Sequence, residues 1–511
     1  MPISTSEKLL SNVLATSGEK VTPVSPFQNE QIPTIPISSI DDVKVAVADA
    51  RVAAKKWATT RIKDRIKIFD KYFDLLMENQ DLLNDVVQIE TGKARAHASA
   101  EILGVAMISS LYTKISAKAL KPKKRPGVFP VLTKTKVVLQ PKGVVGIISP
   151  WNYPLTLSIY DAIPALIAGN AVVLRPDLQT SWSALHAVKL LEDAGLPHGL
   201  LTVVLGDGPN IGTALIDEVD YICFTGSTAT GRTVGARAGS RLIGSSLELG
   251  GKNPMIVCED ADLDTFLDSA IQGCFSSAGQ LCVSIERMFI HESIYETFLS
   301  AFVKRVDELK LGATVGWGYD VGSLGTSAIA DRVSSAVNEA VREGAVIQAG
   351  GKLRPEIGPH VFEPTILTNV TKDMKIYRNE VFGPVVYVLP YKNEKEAIEL
   401  ANDSEYGLSA SVISKDLKRA ANIAGQIHSG SVNVNDGFAV AFGSVAAPMG
   451  GMGQSGLGRR HGIEGLIRFT EPQTIAMHGR FLTGPKFGMS EEKWNGLVTK
   501  SLRFLKRLGI R

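Results

Sequence analysis

The stretch Tyr221-Ile-Cys-Phe-Thr-Gly-Ser-Thr-Ala-Thr-Gly231 decides the fold of this chain. Its first four residues predict a buried strand, and the glycine after them leads into a predicted helix. Similar apolar runs stand before it at residues 143–148, 171–174 and 201–205, with helical stretches between them. Strands that alternate with helices predict an α/β fold with a parallel sheet.

Glycines follow two of these predicted strands, as Gly206-Asp-Gly208 and Gly226-Ser227. Glycine lets the backbone approach a pyrophosphate, and the following helix offers N–H donors and the positive end of its dipole. A glycine after a strand is also a common turn, but the alternating pattern favours a dinucleotide site. We therefore take Gly208, Gly226 and Ser227 as candidate cofactor ligands, although the run is not the GxGxxG fingerprint.

A second alternating segment begins at Pro254-Met-Ile-Val-Cys258 and runs to about residue 434. It includes amphipathic helical patterns at residues 262–276 and 327–344, and it predicts a second α/β domain. Residues 41–120 have the three- and four-residue apolar spacing of helices. The basic run at residues 121–126 predicts a solvated linker.

Bulk properties exclude several classes of protein. A length of 511 residues predicts two or three domains, and 44% hydrophobic with 21% charged residues is typical of a globular protein. A net charge of +3 gives no reason to expect a nucleic-acid partner. We expect no membrane span, no secretory signal and no metal site. Four cysteines in so long a chain favour a reducing compartment, the cytosol by default.

Three separated residues carry groups suited to covalent catalysis at a carbonyl: Cys282, Glu248 and Asn152. A thiolate can add to the carbonyl, an amide can stabilise the oxyanion, and a carboxylate can activate water. Gly279-Gln280 precede Cys282 and let the backbone turn sharply, so we expect its sulfur to face a tunnel. The other three cysteines are expected to be small buried hydrophobes.

These residues lie in runs that resemble the aldehyde dehydrogenase superfamily. The resemblance covers about residues 40–474. Within the superfamily, the chain most resembles the NADP-using, second-type succinate-semialdehyde dehydrogenases of actinobacteria. The runs that carry it are Ser149-Pro-Trp-Asn-Tyr-Pro154, Phe224-Thr-Gly-Ser-Thr-Ala-Thr-Gly231, Leu247-Glu-Leu-Gly-Gly-Lys-Asn-Pro254, Phe275-Ser-Ser-Ala-Gly-Gln-Leu-Cys-Val-Ser284, Glu380-Val-Phe-Gly-Pro384 and Ser455-Gly-Leu-Gly458.

The resemblance implies two parallel-sheet α/β domains and a small β oligomerisation element. We expect a Rossmann-like dinucleotide-binding domain at residues 1–126 and 143–248, and a catalytic domain at residues 249–439. An oligomerisation hairpin at 127–142 and a tail at 440–511 would complete a homodimer or homotetramer.

The resemblance also implies oxidation of an aldehyde to the acid with NAD(P). Cys282 would form a thiohemiacetal and then a thioester, and Asn152 with the Cys282 backbone amide would hold the oxyanion. Glu248 would activate the hydrolytic water, which argues for a free acid as product. A catalytically inactive scaffold of the same fold is the alternative from another class.

On the cofactor side, the resemblance implies contacts from Trp151, Leu249, Glu380 and Phe382. Arg175 departs from the lysine of most relatives, and Leu178 stands where NAD-preferring relatives carry a glutamate. An arginine can grip a phosphate through two hydrogen bonds, so we expect NADP to be preferred and NAD to remain usable. Asp177 weakens this expectation, since its charge could oppose the phosphate or cap the next helix.

The substrate is left open by the sequence. Two arginines that hold the far carboxylate in better-known succinate-semialdehyde dehydrogenases are replaced here by Ser276 and Tyr160. Candidate replacements are the hydroxyls of Tyr160, Ser276 and Ser444, helped by a basic residue such as Arg459 or Arg460. Succinate semialdehyde is the expected substrate; a broad aliphatic or aromatic range is the alternative, favoured by an apolar run at residues 438–442.

The stretch from Lys493 to Arg511 is basic and amphipathic, with a stripe of leucines and a valine. We expect it to pack on the enzyme's own surface or on a neighbouring subunit. The alternative is contact with an anionic membrane surface.

Overall fold

The computed structural model describes residues 7–127, 133–478, 484–485 and 487–509; of Glu7, Asp264 and Thr265 it describes only the backbone. The chain forms two compact units. The larger comprises Met1–Ala119 and Pro141–Thr470, and the smaller comprises Leu120–Gln140 and Glu471–Arg511.

The helices of the larger unit confirm the predicted helical segment and the alternation that follows it. Ile40–Ala58 begins with a capping box, in which Ser39 accepts from the Asp42 N–H and Asp42 accepts from the Ser39 N–H. The helices are Glu7–Leu10, Ile40–Ala58, Ile62–Glu78, Gln80–Thr91, Arg95–Ala119, Pro154–Ile159, Ala162–Ala168, Ser181–Asp193, Thr213–Glu218, Thr228–Ser240, Leu263–Phe275, Tyr295–Asp307, Ser327–Arg342, Lys375–Arg378, Glu394–Asn402, Leu417–Ala424, Ala439–Gly443 and Glu464–Ile467.

A six-stranded sheet contains the stretch that opened the sequence analysis. Five of its strands are parallel, and the edge strand Gly456–Leu457 runs antiparallel to its neighbour. The spatial order is Gly456–Leu457, Gly244–Glu248, Tyr221–Thr225, Val144–Ile148, Ala171–Arg175 and Leu201–Val203. The strands from residue 144 to residue 225 are buried on both faces, as expected of parallel strands covered by helices.

A seven-stranded sheet forms the second half of the larger unit. It is parallel except at the edge strand Val346–Ala349, which pairs antiparallel with Thr365–Thr368. The spatial order is Val346–Ala349, Thr365–Thr368, Val385–Tyr391, Ile285–His291, Asn253–Val257, Ser409–Ile413 and Ser431–Val434. The predicted class, α/β with two mainly parallel sheets, is thus confirmed.

The smaller unit carries a three-stranded sheet in the order Thr470–His478, Thr133–Pro141, Lys123–Arg125, and the last two strands pair antiparallel. This corrects two expectations. Residues 123–125 of the basic linker form a strand, because their backbone pairs with Thr133–Pro141 while their side chains stay exposed. The predicted hairpin therefore begins before residue 127; its residues 128–132 lie outside the described residues.

Residues 440–470, expected in the tail, lie in the larger unit instead. The edge strand Gly456–Leu457 pairs there with Leu247 and Glu248 and so joins the six-stranded sheet. The rest of the tail belongs to the smaller unit and includes the helix Glu491–Arg507; residues 479–483, 486 and 510–511 lie outside the described residues. No helix among the described residues is long and apolar enough to cross a membrane.

Candidate active site

Three neighbouring strands of the six-stranded sheet end where the predicted site residues begin. Asn152 follows Val144–Ile148, Gly226 follows Tyr221–Thr225, and Glu248 is the last residue of its own strand. Parallel strands bring their carboxyl ends to one edge of a sheet, which is where ligands bind in open α/β folds. Topology alone therefore gathers these residues.

Cys282 lies on a tightly turned segment that leads into the strand Ile285–His291. Ser277, Ala278 and Gly279 all have positive φ angles of 52°, 54° and 67°. A Cβ on Gly279 would come within 2.0 Å of the Gly383 carbonyl oxygen, so only glycine fits there. Asn253 fixes the end of this segment by donating from Nδ2 to the Cys282 carbonyl over 2.8 Å. The predicted sharp turn before the cysteine is present.

Asn152 is buried and fixed from two sides. Its Nδ2 donates to the Gln280 carbonyl over 3.0 Å, which ties it to the segment before Cys282. Its own carbonyl accepts a 2.6 Å bond from Nζ of the buried Lys93, which also donates to Glu101 over 2.5 Å. Burial raises the pKa of Glu101 and lowers that of Lys93.

A cavity of about 230 Å³ brings Asn152, Glu248 and Cys282 together. The same cavity is lined by six predicted cofactor residues. Those six are Trp151, Gly226, Ser227, Leu249, Glu380 and Phe382. Cys282 therefore lines open space and is partly exposed, whereas Cys223, Cys258 and Cys274 are buried.

Glu248 is buried, and its Oε1 has no hydrogen-bond partner within the described part of the chain. Burial raises the pKa of Glu248 to about 7, and the charges of Arg460 and Arg468 act against that rise. A carboxyl that titrates near neutrality suits a general base.

An ion-pair cluster of Asp161, Arg460 and Arg468 lies beside Glu248. Arg460 donates to Asp161 from Nε over 3.1 Å and from Nη2 over 2.8 Å, and Arg468 donates to the same carboxylate. Burial acts to raise the pKa of Asp161, but the two arginines outweigh it and the pKa lies below its ordinary value.

The Cys282 thiol is held in its protonated form by the protein. Burial raises the pKa of this thiol to about 12, and the carboxylates of Glu248 and Glu380 act in the same direction. A hydrogen bond from its own backbone N–H acts against the rise. The groups of the chain alone therefore do not generate the thiolate at neutral pH.

Residues expected near the nicotinamide are positioned by a buried ion pair. Lys252 donates to Glu286 over 2.6 Å, and Glu286 accepts from the backbone N–H groups of Val381 and Phe382. Phe382 has a positive φ of 56° and meets the Trp151 ring edge-on at 5.8 Å between centroids. Burial raises the pKa of Glu380, which directly precedes Val381, to about 8.

The helix Thr228–Ser240 begins at the mouth of the cavity. Ser227 is its N-cap and accepts from the Thr230 N–H over 3.2 Å, so the free N–H groups of the first turn lie beside Gly226. This is the arrangement in which helix N-termini bind phosphate.

The remaining cofactor candidates lie at the ends of two other strands. Arg175 is buried and donates from Nε and Nη2 to the Gly206 carbonyl, over 2.8 and 2.6 Å. Asp177 caps the short helix Leu178–Thr180 by accepting from the Gln179 N–H. Helix capping was the second role expected for Asp177. Gly208 is exposed and begins the single π-helical turn Gly208–Gly212.

The three hydroxyls proposed for the substrate do not converge. Ser276 lines a different cavity of about 250 Å³ with His97 and Asp320. Ser444 is exposed and donates to the Val440 carbonyl over 2.7 Å, because it ends the short helix Ala439–Gly443. Tyr160 is buried, and its hydroxyl has no partner among the described residues.

The two basic candidates are also committed elsewhere. Arg459 donates to the carbonyls of Gly451 and Gly458, and Arg460 belongs to the ion-pair cluster. What surrounds Cys282 instead is an apolar cluster. Its members are Tyr153, Leu157, Leu281, Val283, Leu408, Phe438, Phe442 and Met449.

Several residues of the site were missed at the sequence level. His461 is buried with neither ring nitrogen hydrogen-bonded within the described chain, and its ring lies 5.4 Å from that of Tyr160. Burial lowers the pKa of His461 to about 3, so the ring is neutral. Asp161 and Arg468 lie 307 positions apart in sequence, and no local signal could have joined them.

Residues 13–475 match the sequence profile of the aldehyde dehydrogenase family. A "Putative succinate-semialdehyde dehydrogenase (NADP+)" of Mycolicibacterium smegmatis is 47% identical over 482 residues, which is 94% of this chain and 93% of the relative.

Two solved structures have the same fold. An aldehyde dehydrogenase from Brucella melitensis biovar abortus 2308 is 33% identical with a TM-score of 0.89, over 94% of this chain and 100% of the other. Betaine aldehyde dehydrogenase from Staphylococcus aureus, in complex with NAD+, is 32% identical with a TM-score of 0.86, over 93% and 95%. The profile match and these identities over nearly the whole length show that the chain belongs to the aldehyde dehydrogenase family.

Proposed function

We propose that this chain oxidises an aldehyde to the carboxylic acid through a thioester on Cys282, with NADP+ as oxidant and succinate semialdehyde as substrate. The observation that carries the proposal is one cavity lined by Asn152, Glu248 and Cys282 together with six predicted cofactor residues. The M. smegmatis relative, named for this substrate and cofactor, supports it.

In the first half of the reaction, Cys282 Sγ forms a bond to the aldehyde carbon. Its proton passes to Glu248 through water, and the carbonyl oxygen becomes an oxyanion. The Asn152 amide and the Cys282 backbone N–H stabilise that charge; Asn152 Nδ2 carries two hydrogens, and the Gln280 carbonyl accepts one of them. As the oxyanion re-forms the carbonyl of the thioester, the tetrahedral carbon loses a hydride. A bound NADP+, held by Trp151, Glu380 and Phe382, would supply the acceptor for that hydride and a positive charge that favours the thiolate.

In the second half, Glu248 first releases the thiol proton to bulk water and then removes a proton from the water molecule that attacks the thioester carbon. The carbon–sulfur bond breaks, and the acid leaves. Glu248 suits this role because its pKa of about 7 lets it accept a proton at neutral pH and release it again. A relative that passed the acyl group to another thiol would not need this base.

The chain fits a dinucleotide at three points: the helix N-terminus at Ser227, the Glu380–Phe382 segment and the Arg175 region. Arg175 uses its Nε–Nη2 edge on the Gly206 carbonyl, so a 2′-phosphate would meet the Nη1–Nη2 end. The exposed Asp207 and the capping Asp177 lie near this guanidinium and oppose a phosphate. Leu178 in place of a glutamate removes a further opposing charge.

A broad aliphatic or aromatic range is the second candidate, and the apolar cluster around Cys282 favours it.

The test is reduced-cofactor absorbance with succinate semialdehyde, hexanal and benzaldehyde, each with NADP+ and NAD+. We expect the highest kcat/KM for succinate semialdehyde with NADP+. A higher kcat/KM for hexanal or benzaldehyde would give the second candidate preference, and no turnover of any aldehyde would leave only the inactive scaffold. Cys282→Ala must abolish every rate.

We further propose that the chain assembles as a homodimer or homotetramer through the three-stranded sheet of the smaller unit, and that it works in the cytosol. Gln140 and Gln473 pair their side chains across adjacent strands of this sheet over 3.2 Å. Light scattering behind a sizing column would give the assembled mass, and a monomer would contradict the assembly. The location is tested by fractionating cells.

A further inference from the structure

The helix Glu491–Arg507, here called the last helix, leaves its apolar side chains uncovered. No residue of it is buried, and Leu497, Leu502, Phe504 and Leu508 beyond its end are 50%, 42%, 61% and 55% exposed. Within the described residues of the smaller unit, these side chains are therefore not covered.

The apolar side chains of this segment share one side. With 3.6 residues per turn, they fall within a sector of about 160° that also includes Ser501 and Glu491. The members of this sector are Trp494, Leu497, Val498, Leu502, Phe504, Leu505 and Leu508. A helix sorted so cleanly into two faces is built to lie at a boundary between an apolar and a polar medium.

The opposite side is cationic. Between Lys493 and Gly509 the chain has five basic residues and no acidic one. Lys493 and Lys506 border the apolar sector on its two edges, where long stems can run along an apolar surface while the ammonium groups stay in water. The only carboxylates of the helix, Glu491 and Glu492, stand in its first turn, where they favour the helix dipole.

An isolated helix of this length is marginally stable in water, and Gly496 near its middle weakens it further. Covering the apolar side would stabilise it. An anionic bilayer surface offers apolar chains beneath a layer of negative headgroups, in the same order as the two sides of the helix. At 17 residues with five basic side chains, the helix would lie in the plane of the surface without crossing it.

We propose that the last helix binds the enzyme to anionic lipid surfaces. Trp494, on the apolar side, would sit at headgroup depth, and the basic residues would contact the lipid phosphates and carboxylates. This proposal does not depend on the substrate or on the cofactor.

The test is co-sedimentation of the full chain with vesicles of phosphatidylglycerol and phosphatidylcholine, and with phosphatidylcholine alone. We expect binding to the anionic vesicles, reduced by high salt. Leu497→Gln/Phe504→Gln and Lys500→Glu/Arg503→Glu should each weaken binding by roughly tenfold or more, since both apolar area and charge contribute.

Matched controls come from exposed residues elsewhere. Val52 and Leu417 are 70% and 63% exposed, so Val52→Gln/Leu417→Gln removes a similar apolar area, and Lys55→Glu/Lys63→Glu reverses two exposed charges. We expect both controls to bind like the unchanged protein, and all variants to keep its aldehyde activity. Failure of the unchanged protein to sediment with anionic vesicles overturns the proposal. So does a change of assembled mass in the last-helix variants with vesicle binding intact, which would assign the apolar side to a second copy of the chain.

Discussion

Arg460 donates a 2.5 Å hydrogen bond from Nη2 to Thr225 Oγ1, and Thr225 is the cross-strand neighbour of Glu248 in the six-stranded sheet. The guanidinium is thereby anchored next to the proposed base. Asp161, Arg460 and Arg468 together carry one net positive charge in a buried place. An ionised Glu248 makes the group of four neutral, so the cluster favours the carboxylate form that a base needs.

Arg460→Gln should therefore weaken Glu248 as a base at neutral pH. Removal of the nearest opposing charge raises the pKa of Glu248 above about 7, and thioester hydrolysis should need a pH higher by about one to two units. The measurement is the single-turnover rate of thioester decay between pH 5 and pH 10. For the unchanged protein this rate should rise through pH 7 and level off above it.

Arg460→Lys is the matched control, because it keeps the charge while it loses the forked bond to Asp161 and the bond to Thr225. Its pH midpoint should stay near that of the unchanged protein, even if its melting temperature falls. If Arg460→Gln leaves the midpoint where it was, the electrostatic role of Arg460 is wrong.

Glu248→Gln should speed alkylation of the Cys282 thiol and slow hydrolysis of the thioester. The Glu248 carboxylate is the charge that raises the pKa of the Cys282 thiol most, after burial itself. Its loss should speed alkylation of Cys282 by iodoacetamide at pH 8, while hydrolysis of the thioester slows by roughly 10²- to 10⁴-fold.

Mass spectrometry of the peptide that contains Cys282 gives the alkylation rate without interference from the three buried cysteines. Glu380→Gln serves as a comparison, since it removes the second carboxylate near the sulfur and keeps the proposed base. It should speed alkylation without slowing hydrolysis. Slower alkylation of Glu248→Gln would contradict the assigned electrostatics.

Lys93 should position Asn152 as well as stabilise the fold. Lys93→Met leaves Glu101 buried without its partner, which costs about 3–5 kcal/mol of unfolding free energy. It also removes the 2.6 Å bond to the Asn152 carbonyl, so kcat should fall. Thermal unfolding and steady-state rates measure the two effects separately.

The double variant Lys93→Met/Glu101→Leu distinguishes positioning from stability. Replacing both members of a buried ion pair by apolar side chains can restore stability. We expect the melting temperature to recover and kcat to stay low, because the anchor on Asn152 is still missing. Recovery of kcat together with stability would reduce Lys93 to a structural role.

The parts of the site that the sequence predicts are those fixed by local pattern. The glycine after Tyr221–Thr225 marks the helix N-terminus at Ser227. Gly279 marks the turn before Cys282, because its positive φ and the nearby Gly383 carbonyl require glycine there. The ion-pair cluster arises from residues brought together only by folding, so Asp161 and Arg468 carry no such mark.

The substrate candidates show the same limit. Ser276 replaces a family arginine by sequence position, yet the turn at Ser277 and Ala278 leaves it in the lining of another cavity. Position in a motif fixes where a backbone lies, but which cavity a side chain lines depends on the turn itself. The apolar sector of the last helix could be read from its period, but that it stays uncovered required the structure.

Leu178→Glu should reverse the cofactor preference. Leu178 begins the short helix capped by Asp177, three residues after Arg175 at the end of its strand. We therefore expect a carboxylate at position 178 to face the 2′-phosphate proposed near Arg175. Beside Asp177 and Asp207 it would add a third negative charge around one guanidinium and repel a 2′-phosphate. We expect kcat/KM with NADP+ to fall by roughly tenfold or more and kcat/KM with NAD+ to change far less.

Leu178→Gln, equal in size and uncharged, should keep the NADP+ preference. An equal loss with both cofactors in Leu178→Glu would mean that this helix shapes the site without reading the phosphate.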